Sequence, residues 1–194
     1  MIQVPGSARF PIELRPPPDF RPDDERTWPK VPGRMEFVRG RLLYMTPCGD
    51  VQSEVVLNVS FVLVEWLNGH ADYTGGTNEA GMILGGDVRG ADAALWRRAD
   101  LGPMTGGYRR VAPVLAVEVA GREEEEGEGQ LREKAAWYLA QGVAIVWLVL
   151  PDAREVLVLQ QGAETRRHAG ERLDETPDLP GLAPDVDRFF RRLR

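Results

Sequence analysis

Apolar residues change their spacing several times along the chain, and each change marks an element. From Val51 to Leu67 they recur at Val55, Val59, Val62, Leu63 and Trp66, a stripe of helical period over a stretch longer than an ordinary strand. The spacing predicts a helix capped by Asp50 and closed by Gly69, although its many valines favour a strand. Val111–Ala120 is apolar on both faces apart from Glu118, the pattern of a central strand covered on both sides. Val143–Leu150 has the same character and stops at Pro151-Asp152, with Val156–Gln160 as its hairpin partner. Between these strands, Leu131–Gln141 reads as a helix ended by Gly142. Nearer the start, Met35–Val38 and Leu42–Met45 flank Arg39-Gly40-Arg41 and predict a β-hairpin. Gly81–Leu84 and Ala91–Trp96 are short strand candidates, followed by a Gly/Pro/Arg loop from Arg97 to Arg110. The tail holds Leu179-Pro180-Gly181-Leu182 and a short basic helix from Val186 to Leu193.

Hairpin, helix, strands, helix, strands, with no internal repeat, describes one α/β (α+β) domain: a mixed β-sheet flanked by helices. It is expected over residues 33–194. Residues 1–32 are rich in proline, including Pro16-Pro17-Pro18, and read as an extended N-terminal arm or a short helix with turns rather than a core element. A chain of 194 residues suits one substantial core. No apolar run is long enough to span a bilayer, and MIQVPGSARF does not have the pattern of a secretory leader. One cysteine, Cys48, permits no internal disulfide. These features lead to the expectation of a cytoplasmic protein without a membrane partner.

The net charge of −6 argues against a protein that coats nucleic acid non-specifically, but leaves room for a local basic face. It also suits a site that gathers carboxylates around a cation. His70 and His168 are too few and too far apart for a histidine-based metal centre. Only two of the 24 basic residues are lysines, Lys30 and Lys134. Lys134 is therefore notable, because a small ammonium differs chemically from the guanidinium used elsewhere. It lies between Leu131 and Tyr138 on the predicted inner face of its helix.

Glu118 and Asp92 each stand in an apolar strand, where a carboxylate is costly unless it is paired or binds a metal. On adjacent strands the two could hold one Mg²⁺, which prefers oxygen ligands. Two acids, a metal and a lysine can hydrolyse a phosphodiester. A buried structural ion pair between Glu118 and Lys134 explains the same spacing without chemistry. The run Glu123–Glu126 reads as a solvated loop whose charge favours the following helix N-terminus. Trp66, Trp137 and Trp147 read as core. Trp96 with Arg97 and Arg98 is a candidate stacking surface for bases.

Arg89-Gly90-Ala91-Asp92-Ala93-Ala94-Leu95, Val114 to Val119, Leu131-Arg132-Glu133-Lys134, Tyr138 to Val143 and Trp147-Leu148-Val149 resemble the Uma2 family. So do the hairpin Met35 to Leu42 and Leu179-Pro180-Gly181-Leu182, giving a resemblance over about residues 33–190. The resemblance implies a restriction-endonuclease-like fold of the PD-(D/E)xK superfamily. It implies Asp92 as the catalytic aspartate, Glu118 as the second acid, and both as ligands of Mg²⁺ or Mn²⁺. Lys134, on the following helix, matches the lysine, since the strand position two after Glu118 is Ala120. Glu36 matches an additional acid on the hairpin, and Gln52 a glutamine near the start of the long helix. Several flanking positions depart from the family pattern: Ala91 replaces a proline, Val51 a histidine and Val114 an aspartate, and Gly121-Arg122 with four glutamates replaces a Ser-Pro-Ser-Asp turn.

Two functions follow as expectations. One is a metal-dependent endonuclease acting on nucleic acid, DNA first, as a homodimer whose two sites meet two strands. The other is a catalytically silent module of the same fold that binds nucleic acid or a protein. Fold alone does not choose between them.

Overall fold

In the computed structural model, residues 11–45, 47–121 and 126–193 are described. The strands are β1 (Ile12–Leu14), β2 (Arg34–Val38), β3 (Arg41–Met45), β4 (Tyr73–Leu84), β5 (Asp87–Arg97), β6 (Leu115–Val119), β7 (Ile145–Leu150), β8 (Glu155–Gln160) and β9 (Ala163–His168). The helices are α1 (Asp50–Leu67) and α2 (Glu128–Ala140), with single 3₁₀ turns at Glu25–Thr27, Arg98–Asp100 and Val186–Arg188. All nine strands join one sheet in the order β1-β3-β2-β5-β6-β7-β8-β9, with β4 on β5. Only β6 and β7 pair in parallel; the other pairs are antiparallel. Helix α2 makes the crossover that a parallel pair requires.

The sheet is buried on both sides because a helix covers each face. Every residue of β6 and β7 is buried, as their unbroken apolar pattern demands. Val117, Val119 and Trp147 face α1, where Val55, Val59, Val62, Leu63 and Trp66 meet them. Ala116, Val146 and Leu148 face α2, against Leu131, Ala135 and Tyr138. Tertiary burial thus overrides the strand preference of the valines in α1. Gly49 occupies the N-cap of α1 and Asp50 its first turn, one residue later than the capping role predicted for Asp50. No described helix is long and apolar enough to cross a membrane.

Several elements extend beyond the sequence pattern. The two short strand candidates are parts of one long hairpin, β4–β5. Their Gly, Asp and Arg residues mask strands that packing specifies. β9 is an exposed polar edge with no apolar alternation to mark it. The tail forms one 3₁₀ turn rather than a helix, and Val186, Phe189 and Phe190 are buried in the α1 layer. Within the proline-rich arm, Ile12–Leu14 pairs with β3 and Trp28 is buried against Leu42 and Val88. These residues therefore belong to the fold rather than projecting from it. Of the acidic run, Glu123–Glu125 lie outside the described residues.

The ladder around β5 positions the candidate site. β4 follows one edge of β5 for its whole length. The other edge is shared: β2 meets it at Val88, and β6 meets it from Ala93 to Leu95. Between these contacts the sheet forks. Backbone groups that a neighbouring strand would satisfy must find side-chain partners there.

Candidate active site

Side chains from four elements fill the fork. The Glu36 carboxylate of β2 accepts from the Gly90 N–H at 3.3 Å, and the Gly90 carbonyl accepts from Lys134 Nζ of α2 at 2.8 Å. Asp92 Oδ2 accepts from the Val119 N–H at 2.8 Å, closing the β5–β6 gap just past the last paired residues. Glu118 lies between Val117 and Val119, which face α1, so its own side chain points to the α2 face. There its Oε2 is 2.9 Å from Lys134 Nζ, and its Oε1 accepts from the Tyr138 hydroxyl at 2.7 Å. Lys134 also reaches Glu36 Oε1 at 3.0 Å, so its three protons have three acceptors. Arg89 Nε donates to Glu36 Oε2 at 2.8 Å.

The spacing of Leu131, Lys134 and Tyr138 places all three on the buried face of α2. Glu36, Asp92, Glu118 and Lys134 are all buried, with Glu118 1% and Lys134 6% exposed. Desolvation therefore dominates their electrostatics. Burial pushes Glu118 up to about 8 against the pull of Lys134, and Asp92 adds repulsion. Burial pushes Asp92 up to about 6; Lys134 opposes this, while Glu79 and Glu126 add to it. Burial would also raise Glu36, but Lys134 and Arg89 outweigh it and hold that carboxyl below its usual range. Lys134 is held well above its usual range: burial alone would lower it, and Glu118 and Glu36 override that.

Gln52 lies on the α1 side of the same region. Its Nε2 donates to the Val119 carbonyl at 2.9 Å and to Glu126 Oε2 at 3.0 Å. Arg34 completes the rim, with Nη1 2.8 Å from Glu79 and Nη2 3.0 Å from Glu126. Arg34, Glu79 and Glu126 are parts of this site that the motifs do not mark, and Arg89 stands in a motif without a role assigned to it. Arg34 stands two residues before Glu36 on one strand, and that spacing alone hints at a shared face. Glu79 has no such signal. Trp96 is buried, with its indole N–H on the Val111 carbonyl at 2.9 Å, so it offers bases no stacking surface. His70 stacks on Trp66 and His168 pairs with Glu155, both away from the fork.

Asp92 and Glu118 supply hard oxygen donors, which suit Mg²⁺ or Mn²⁺. Among the described residues, no group of three or more His, Cys, Asp or Glu side chains is arranged to hold a metal ion. Two carboxylates fit a Mg²⁺ ion that draws the rest of its shell from water and substrate phosphate.

Nine mixed strands with a helix on each face, and acids with a lysine at a fork in the sheet, make this an α+β protein with a charged, buried site. The fold matches the crystal structure of a "putative nuclease belonging to DUF820" from Anabaena variabilis ATCC 29413, with a TM-score of 0.70 and 15% identity, over 83% of this chain and 93% of that one. The Uma2 family model, described as "Putative restriction endonuclease", matches residues 23–187, and the chain belongs to that family. The match begins ahead of Trp28, the buried residue of the proline-rich segment. No curated protein matches.

Proposed function

We propose that the protein is a divalent-cation-dependent endonuclease that hydrolyses phosphodiester bonds of nucleic acid, with DNA as the first substrate to test. The observation that carries this reading is that Asp92, Glu118 and Lys134, from two strands and a helix, are all buried and within electrostatic reach of one another. Asp92 and Glu118 would hold the cation. When bound, such an ion lowers the pKa of a water and offsets phosphate charge. Lys134 would place a compact ammonium beside the attacked phosphate and its nucleophile, with Glu36 and Glu118 fixing its position. Tyr138 would orient Glu118 through the 2.7 Å hydrogen bond. Glu36 and Gln52 would act at the edges of the site, on Lys134 and on the end of β6.

The test is cleavage of plasmid and single-stranded substrates with Mg²⁺ or Mn²⁺ at low salt. Lys134→Arg and Lys134→Ala should both lose about 10²–10³-fold in rate, as when a preorganised electrostatic group is removed. Arginine is larger, planar and never deprotonated, so it cannot replace the ammonium. Near-full activity in Lys134→Arg would refute the lysine's role.

One observation favours a silent binding module instead. Both Glu118 oxygens are already engaged, and neither Asp92 nor Glu118 lines either of the two clefts beside the fork. Absence of cleavage by the wild type with either metal would favour that reading.

A further inference from the structure

The two strands of the β2–β3 hairpin share one charged face. Their register sets Val38 opposite Arg41, Glu36 opposite Leu43 and Arg34 opposite Met45, so Arg34, Glu36, Val38 and Arg41 point the same way. That face forms one wall of a cleft of about 280 Å³, with Lys134 and Trp137 of α2 on the other. Cationic side chains lining it outnumber acidic ones five to three, in a chain whose net charge is −6.

The inner charges of this cleft are compensated: Lys134 by Glu36 and Glu118, and Arg34 by Glu79 and Glu126. Arg39 and Arg41, further out, are much less so, whereas Arg89 pairs with Glu36 at 2.8 Å. Arg39 forms no ion pair among the described residues; its backbone N–H donates to Asp87. It also holds a left-handed φ of 50°, a conformation costly for a residue with a Cβ. Arg41 meets Glu13 only at 3.8 Å, with both side chains more than half exposed. Arg89 uses Nε on Glu36, and its guanidinium carbon lies 5.2 Å from the centre of the Trp137 ring. Arginine is suited to phosphate by its planar fork of donors.

We infer that this cleft holds the sugar-phosphate backbone of a single nucleic-acid strand, with Arg39, Arg41 and Arg89 as its phosphate partners. The inference rests on the nuclease reading for its ligand class and adds the surface that carries the ligand. From Arg34 to Val38 the strand climbs about 13 Å, room for about two phosphates of a single strand. A volume of about 280 Å³ takes part of a single strand and leaves no room for an intact duplex. The compensated inner end, at Glu36 and Lys134, lies where the strand would reach the site.

The test is fluorescence anisotropy of a labelled single-stranded oligonucleotide on the full chain in EDTA, across a salt series. Arg39→Asn with Arg41→Gln is the informative variant, because asparagine tolerates the left-handed backbone. Affinity should fall on the order of tenfold at 0.1 M salt, and the salt slope should drop by about 0.7 for each arginine withdrawn from a phosphate. Arg172→Gln, at an exposed arginine distant in sequence and outside the cleft, should change neither. Equal losses in Arg172→Gln, or no change in the double variant, would overturn the inference. So would tighter binding of duplex through the same two arginines, equal competition by polyglutamate, or no binding by the wild type. Metal-free binding is separable from cleavage. Binding that depends on Arg39 and Arg41 without any cleavage sustains the cleft while the nuclease reading fails. Cleavage indifferent to both arginines does the reverse.

Discussion

Of the fork carboxylates Glu36, Asp92 and Glu118, Asp92 is the one with no ion pair among the described residues. Glu36 has two cations beside it and Glu118 has one, whereas Asp92 accepts from a backbone N–H and feels Lys134 without an ion pair, against two further acids in its field. Its pKa rises from 3.8 to about 6. The folded chain therefore keeps a proton that the unfolded chain releases across that window, and stability falls as pH rises through it. Asparagine has nearly the same shape, still accepts the Val119 N–H and does not titrate. Asp92→Asn should accordingly be more stable than wild type by roughly 1–3 kcal/mol at pH 8, with the advantage shrinking to nothing near pH 3. Urea denaturation at pH 3.5, 5 and 8 measures this, and a stability difference that ignores pH would disprove it. Asp92, Glu118 and Lys134 were legible in the sequence because each is out of place there: two acids in apolar strands and a lysine in a chain of arginines. Arg34 and Glu79 were not, because charged residues in polar stretches are ordinary until the fold brings them together.

At the level of elements, a β-bulge aims Glu79 at the fork. The β4–β5 register shifts between Thr77 and Ala80, and Asn78 and Glu79 take left-handed φ values of 58° and 60°. The extra residue turns Glu79 over Gly90, where a Cβ would lie 2.8 Å from Glu79 Oε2 and 3.2 Å from its Cα. Only glycine fits beneath it. Gly90→Ala should therefore cost about 1–3 kcal/mol through overpacking, and should also disturb the Gly90 carbonyl that receives Lys134. Adding Glu79→Gly removes the clashing side chain and relieves the left-handed strain. The double variant should recover part of the loss in thermal melts; a simple sum of two destabilisations would show that the clash is not the cause. This hairpin also shows where pattern reading stopped. Its buried half, Ala91–Trp96, stood out, but the glycines and the bulge at its other end obscured a strand that pairing with β5 specifies.

At the scale of the whole molecule, the apolar periods established two helices around a mixed sheet, but not the fork. A fork is a matter of which strands share an edge, and no local spacing encodes that. Arg34 is the residue that ties the fork to the rest of the fold. From β2 it bridges Glu79 on the bulge and Glu126 ahead of α2, and Glu126 in turn receives Gln52 of α1. It also lies between the two clefts, lining both together with Glu126. Arg34→Met keeps most of the packing volume and removes the cation. Glu79, Glu126 and Asp92 then repel one another with nothing between them. Breaking a well-buried pair costs about 3–5 kcal/mol, and this half-buried one should cost about 2–4 at pH 7.5. The sign of the pH dependence follows from the acids. Asp92, pushed up to about 6, is largely protonated by pH 4.5, and its proton relieves repulsion that Arg34 offsets in wild type, so the deficit should shrink toward pH 4.5. Added salt should shrink it as well, but less, because partly buried charges are poorly screened. Denaturation of wild type and Arg34→Met at both pH values is the measurement. A deficit equal at pH 4.5 and 7.5 would mean that Arg34 acts by packing alone.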